Sequence, residues 1–142
     1  MRRLRKFLAL SPADQALILR CLGLLAVVRL GLNTLRVERV IEELNRWIKP
    51  RAGASLEEHE LGRIAWAVKA ASACVPGATC LTQALTLQSI LRSHGCLTEL
   101  KFGVRRKPDG QFHAHAWVVF RGRVVIGDDS LLPEYTAMTS FG

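Results

Sequence analysis

The chain is short of acidic residues, aromatics, proline and paired cysteines, and each shortage narrows what it can be. Only 12 Asp and Glu stand against 20 Lys and Arg in 142 residues, a net charge of +8. That excess draws an anionic partner without choosing among nucleic acid, membrane and peptide. Aromatic residues make up 6% of the chain. The basic runs Arg2-Arg3-Leu4-Arg5-Lys6 and Arg105-Arg106-Lys107 do not interleave with exposed aromatics as single-stranded nucleic-acid binding demands, so no nucleic acid partner is expected. Eleven glycines, five prolines and four cysteines exclude collagen-like, low-complexity and disulfide-scaffold classes. Cys21, Cys74, Cys80 and Cys96 form no C-x-x-C pair, which removes zinc ribbons and thioredoxin-type sites. No G-x-x-x-x-G-K-[ST] loop occurs to hold a nucleotide. A long unbroken apolar run is missing too. Between Ala16 and Leu32, Arg20 and Arg29 leave only Cys21 to Val28 free of charge. That segment reads as a buried helix whose arginines extend to solvent, with no transmembrane span and no signal peptide. A cytoplasmic protein with reduced thiols is expected.

What remains is a chain that is 49% hydrophobic and 23% charged, enough to bury a core as one domain over residues 1–142. Ser11-Pro12-Ala13-Asp14 is a helix start, with a capping hydroxyl, a proline at the first position and an acid at the positive end. This helix is predicted to reach about Leu32. A second follows with Val37, Val40, Ile41, Leu44, Trp47 and Ile48 on one stripe, and Pro50 to Ala54 breaks it. Ser55-Leu56-Glu57-Glu58 has the capping-box form S-x-x-E for a third helix with Leu61, Ile64, Ala65 and Val68 inward, ended by Val75-Pro76-Gly77. Thr79 opens a fourth helix that Ser93-His94-Gly95 closes. From Cys96 the period changes to two. Leu100, Phe102 and Val104 mark a strand, Lys107-Pro108-Asp109-Gly110 a hairpin turn, Phe112 to Phe120 a second strand, and Val124-Val125-Ile126 a third after Arg121-Gly122-Arg123. Helices first and an antiparallel sheet after is an α+β pattern.

Three features of that pattern bear chemistry. Cys80 sits in the first turn of its helix, where free amides and the helix dipole favour a thiolate. His113 and His115 share one face of the second strand. Asp128 or Asp129 ends the third strand, where a carboxylate reaches a histidine ring. A cysteine, a base and an acid that orients it make a nucleophilic triad. The other readings are an inert buried cysteine, which suits Cys21, Cys74 and Cys96, and an H-x-H metal pair completed by Cys80 or Asp128. A non-catalytic basic module for nucleic acid or anionic lipid is the reading from another class.

The segments Cys80-Leu81-Thr82-Gln83-Ala84-Leu85, Leu91-Arg92-Ser93-His94-Gly95, Phe102-Gly103-Val104 and Phe112-His113-Ala114-His115-Ala116-Trp117-Val118 resemble a known family. It is the transglutaminase-like leader peptidase of lasso-peptide biosynthesis, the B protein, and the likeness runs from about Ile64 to Asp129. The resemblance implies a papain-like arrangement, with residues 1–54 a helical amino-terminal part and 55–142 the catalytic core. It implies a cysteine peptidase that removes the leader from a ribosomally made precursor. Cys80 falls on the nucleophile, His115 of His-Ala-Trp on the base and Asp128 on the acid, with Trp117 as core packing that helps wall the site. The Cys80 amide is the expected oxyanion donor, with Gln83 a second candidate. Cofactor and metal are not called for. The partners it implies are the precursor leader peptide, a separate precursor-recognition protein and the lasso cyclase. Another transglutaminase-like amidase or acyltransferase is the nearest rival, since substrate choice lies outside the triad.

Overall fold

Hydroxyl and carboxylate caps set the starts of three of the five described helices. The computed structural model describes residues 1–51, 56–127 and 132–141. A short basic helix α1, Arg2–Leu8, precedes α2, Pro12–Thr34, whose cap Ser11 accepts from the Asp14 amide as its sequence predicts. Helix α3 is Val37–Trp47 and α4 is Glu58–Ser72. The α4 start corrects the capping box read from the sequence. Glu57 is the cap, its backbone N–H bonded to the Glu60 carboxylate, while Ser55 lies outside the described residues. Helix α4 also stops at Ser72, three residues before Val75. Helix α5 is Cys80–Ser93, and its partner hydroxyls Thr79 and Thr82 form a reciprocal cap. Strands β1, Glu99–Arg106, β2, Phe112–Phe120, β3, Arg123–Ile126, and β4, Thr136–Phe141, build one antiparallel sheet in the order β3-β2-β1-β4. The α+β class stands. The edge strand β4 was not anticipated.

Helices α2, α4 and α5 pack on one another, and α5 lies on β2. Leu25 and Val28 of α2, Val68 and Ala71 of α4, and Leu85, Leu87 and Leu91 of α5 meet Leu100, Ala116, Val118 and Ile126 of the sheet in one core. Burial of this kind contributes roughly 25 cal/mol per Å² of apolar surface and dominates the fold's stability. Two expectations are corrected here. Trp47 is exposed, its indole N–H donating to Glu43, because the apolar stripe of α3 ends before it. Helix α2 is long and apolar enough to cross a membrane by length and composition, yet only one of its faces is buried. Cys21, Leu25 and Val28 face α4 and α5, while Leu19, Val27 and Leu30 stay exposed because none of the described elements covers their side.

Chain direction sets the ends of the α5–β2 pair. A short link joins Ser93 to Glu99, and Glu99 pairs with Val119, so the carboxyl end of α5 lies at the carboxyl end of β2. A 14-residue helix spans roughly 20 Å. Six strand residues from Val119 back to His113 cover about the same length. By length Cys80 and the two strand histidines come to the same end of the sheet but on opposite faces, since His113 and His115 alternate with Ala116 and Val118, which pack in the core with α5.

Candidate active site

Cys80 is the first residue of α5, half-buried against the edge of the core. Its own N–H belongs to the unsatisfied first turn of the helix and is free for an acceptor. The other thiols divide by burial: Cys21 and Cys96 are buried in the core, as an inert cysteine would be. Cys74 is exposed in the loop after α4, which corrects the buried reading given to it.

His115 sits near the middle of β2, half-buried, opposite Gly103 of β1. Its Nε2 lies 2.7 Å from the Gly127 carbonyl oxygen. A carbonyl only accepts, so Nε2 carries the proton and, in the neutral ring, Nδ1 holds the lone pair. The ring stacks on Trp117 with centroids 6.0 Å apart and an interplanar angle of 19°. Trp117 is buried, as expected of a packing residue. Gly127 itself has φ +81, and a Cβ there would meet the Ala116 carbonyl oxygen at 2.7 Å. Only glycine brings the β3 end this close to β2.

His113 is exposed and its ring is 6.2 Å from that of Tyr135. Tyr135, which sequence reasoning missed, follows the 3-10 turn Leu132–Glu134 and covers the histidine face of the sheet. Its ring is 5.5 Å from His115, 6.1 Å from Trp117 and 5.6 Å from the Arg105 guanidinium carbon. It is the chain's single tyrosine, in a stretch without periodicity, and that rarity was the only signal available.

The structure thus gathers His113, His115, Trp117, Tyr135 and Gly127. Among the described residues no hydrogen bond joins Cys80 to His115. The His115 ring lies with Trp117 and Tyr135 on the face of the sheet turned away from the α5 core, so the structure does not bring the predicted nucleophile and base together. Asp128 and Asp129 lie outside the described residues, directly after the carbonyl that holds His115. A cavity of about 300 Å³ between α4 and the β2–β3 turn, with Leu61, Ala65, Phe120 and Val125 in its lining, includes neither Cys80 nor His115. Its position follows the α4–β3 contact and not the chemistry. No three His, Cys, Asp or Glu side chains converge among the described residues.

A cysteine opening a helix that packs on an antiparallel sheet, with a proton-accepting histidine on a central strand, is the layout of cysteine-dependent acyl transfer. The sequence matches the Transglutaminase-like superfamily over residues 18–140. The chain belongs to that superfamily, whose enzymes are generally cysteine proteases and transglutaminases. No curated protein and no solved structure matches it.

Proposed function

We propose that the protein is a cysteine peptidase that removes the leader from a ribosomally made precursor in lasso-peptide maturation. The observation that carries the reading is the fixed His115 ring, its Nε2 engaged and its Nδ1 left as base, in a superfamily chain whose Cys80 stands at the start of a helix. His115 Nδ1 takes the thiol proton as Cys80 Sγ attacks the carbonyl carbon at the leader–core junction. The oxyanion accepts from the Cys80 amide. The C–N bond breaks as the imidazolium returns its proton to the leaving amine, leaving a thioester on Cys80. Water, deprotonated by His115, then releases the leader acid and restores the thiol. The Gly127 carbonyl on Nε2 orients the imidazole, and Asp128, next in the chain, balances the charge of the imidazolium.

The work takes place in the cytoplasm, with a separate recognition protein delivering the precursor and the lasso cyclase closing the released core. No nucleic acid and no cofactor enter the reaction. The superfamily match equally suits a transglutaminase-like acyltransferase, in which an amine replaces water at the thioester. Incubation with a synthetic leader–core precursor peptide of the lasso type, followed by mass spectrometry, tests both: leader and core as free products support hydrolysis, and an amine adduct supports transfer. Cys80→Ala abolishes either product while Cys74→Ala leaves the rate unchanged. Wild-type processing by Cys80→Ala overturns the proposal.

A further inference from the structure

The seat built for Tyr135 has a feature that packing does not explain. Its side chain is buried, and its hydroxyl is closed off from solvent with no hydrogen-bond partner. Arg105 Nε, on the β1 strand beneath it, is buried and without a partner as well. Arg105 is otherwise engaged, among the described residues, by its position over the Tyr135 ring and through Nη1, 3.8 Å from Glu134. Two donors thus lie in one neighbourhood with no acceptor among the described residues. Burying an unpaired hydroxyl or guanidinium N–H costs stability, and each such group in a native protein calls for a reason.

The seat is also made at the expense of a strand side chain. Gly103 stands mid-strand in β1, opposite His115, and a Cβ there would meet the Trp117 ring at 2.9 Å and Tyr135 Cβ at 3.0 Å. The bare backbone lets the Tyr135 ring lie down beside His115. Phenylalanine would fill the same seat, make the same contacts with His113, His115 and Trp117, and bury no orphan hydroxyl. The hydroxyl therefore serves something other than the free chain.

We propose that Tyr135 Oη is a substrate-binding donor: it hydrogen-bonds an oxygen of the substrate peptide beside His115, with Arg105 Nε as the second donor of the same subsite. Its ligand class is a peptide segment presenting an acceptor oxygen, either a backbone carbonyl or a side-chain carboxylate. This rests on the peptidase reading, which it extends by naming the residue that seats the substrate against the base.

Tyr135→Phe separates this role from a structural one, because removing an orphan hydroxyl relieves the fold while removing a substrate contact weakens binding. With the precursor peptide that the cleavage assay identifies as substrate, KM is expected to rise about tenfold at unchanged kcat, the pattern of a uniform binding contact. The melting temperature is expected to hold or rise. Gly103→Ala, which keeps the hydroxyl but displaces the ring, is expected to raise KM similarly and to lower the melting temperature. A second measurement does not need turnover: titration of the same precursor into Cys80→Ala, with and without Tyr135→Phe, should show the tenfold loss of affinity. Unchanged KM and affinity in Tyr135→Phe overturn the proposal, as does a loss of affinity matched by a fall in melting temperature. A wild-type protein that binds the precursor but cuts nothing overturns the peptidase reading alone.

Discussion

At the scale of single residues, the His115 ring is held, among the described residues, by a backbone carbonyl. Gly127 is where this is most exposed to test. Its φ of +81 and the 2.7 Å approach to the Ala116 carbonyl leave no room for a methyl group. Gly127→Ala is expected to cost about 2 kcal/mol in denaturant unfolding. It should also lower the rate of precursor cleavage more than the loss of folded protein explains, because the carbonyl holding His115 Nε2 must move. An unchanged rate per folded molecule would show that this hydrogen bond does not orient the base. The sequence made the helix start at Cys80 and the strand carrying His115 legible because a helix cap and a period-two alternation are local signals. Gly127, Gly103 and Tyr135 were opaque. Their roles come from backbone approach between β1, β2 and the segment before β4, and no spacing along the chain encodes that approach.

At the scale of elements, legibility followed capping chemistry. Ser11 and Thr79 were read correctly because a hydroxyl before an apolar run has one good use, accepting from the amide three residues on. The α4 start was misplaced because Glu57 competes with Ser55 for the same role, and Glu60 rather than Glu58 completes the box. Strand β4 escaped because its pairing with β1 is long-range and its register shifts at Phe102/Gly103, so its own six residues carry little pattern. The Thr79 cap has a further consequence, since it fixes where α5 begins and hence where Cys80 stands. Thr79→Ala removes the bond to the Thr82 amide, 3.3 Å in length, and is expected to destabilise the protein by about 1 kcal/mol. Thr79→Ser keeps the oxygen and should retain most of that stability. Chemical denaturation of the two variants checks the ordering, and equal stabilities would show that packing alone sets the start of α5.

At the scale of the whole molecule, stability should be bounded at both pH extremes by groups on α2. At the acid end, the Arg63 guanidinium and the Ser11 hydroxyl hold the Asp14 carboxyl below its usual value. A carboxyl lowered by folding stabilises the protein above its unfolded pKa, and that contribution fades as pH falls through the folded one. Exposure and salt screening keep it small. The alkaline end is sharper. Burial pushes the Cys21 thiol up from 9.0 to about 11, against the weaker opposing pull of Arg20. Between those values the unfolded chain has released the proton while the folded chain still binds it, so unfolding gains from rising pH. Melting temperature should therefore fall from about pH 9 to pH 11 and then level for this group. Cys21→Ala loses core packing and lowers the whole curve, but its alkaline fall should be shallower than that of the wild type. Parallel curves would mean that Cys21 reaches water in the native state, and with it that the buried face of α2 is not seated against α4 and α5.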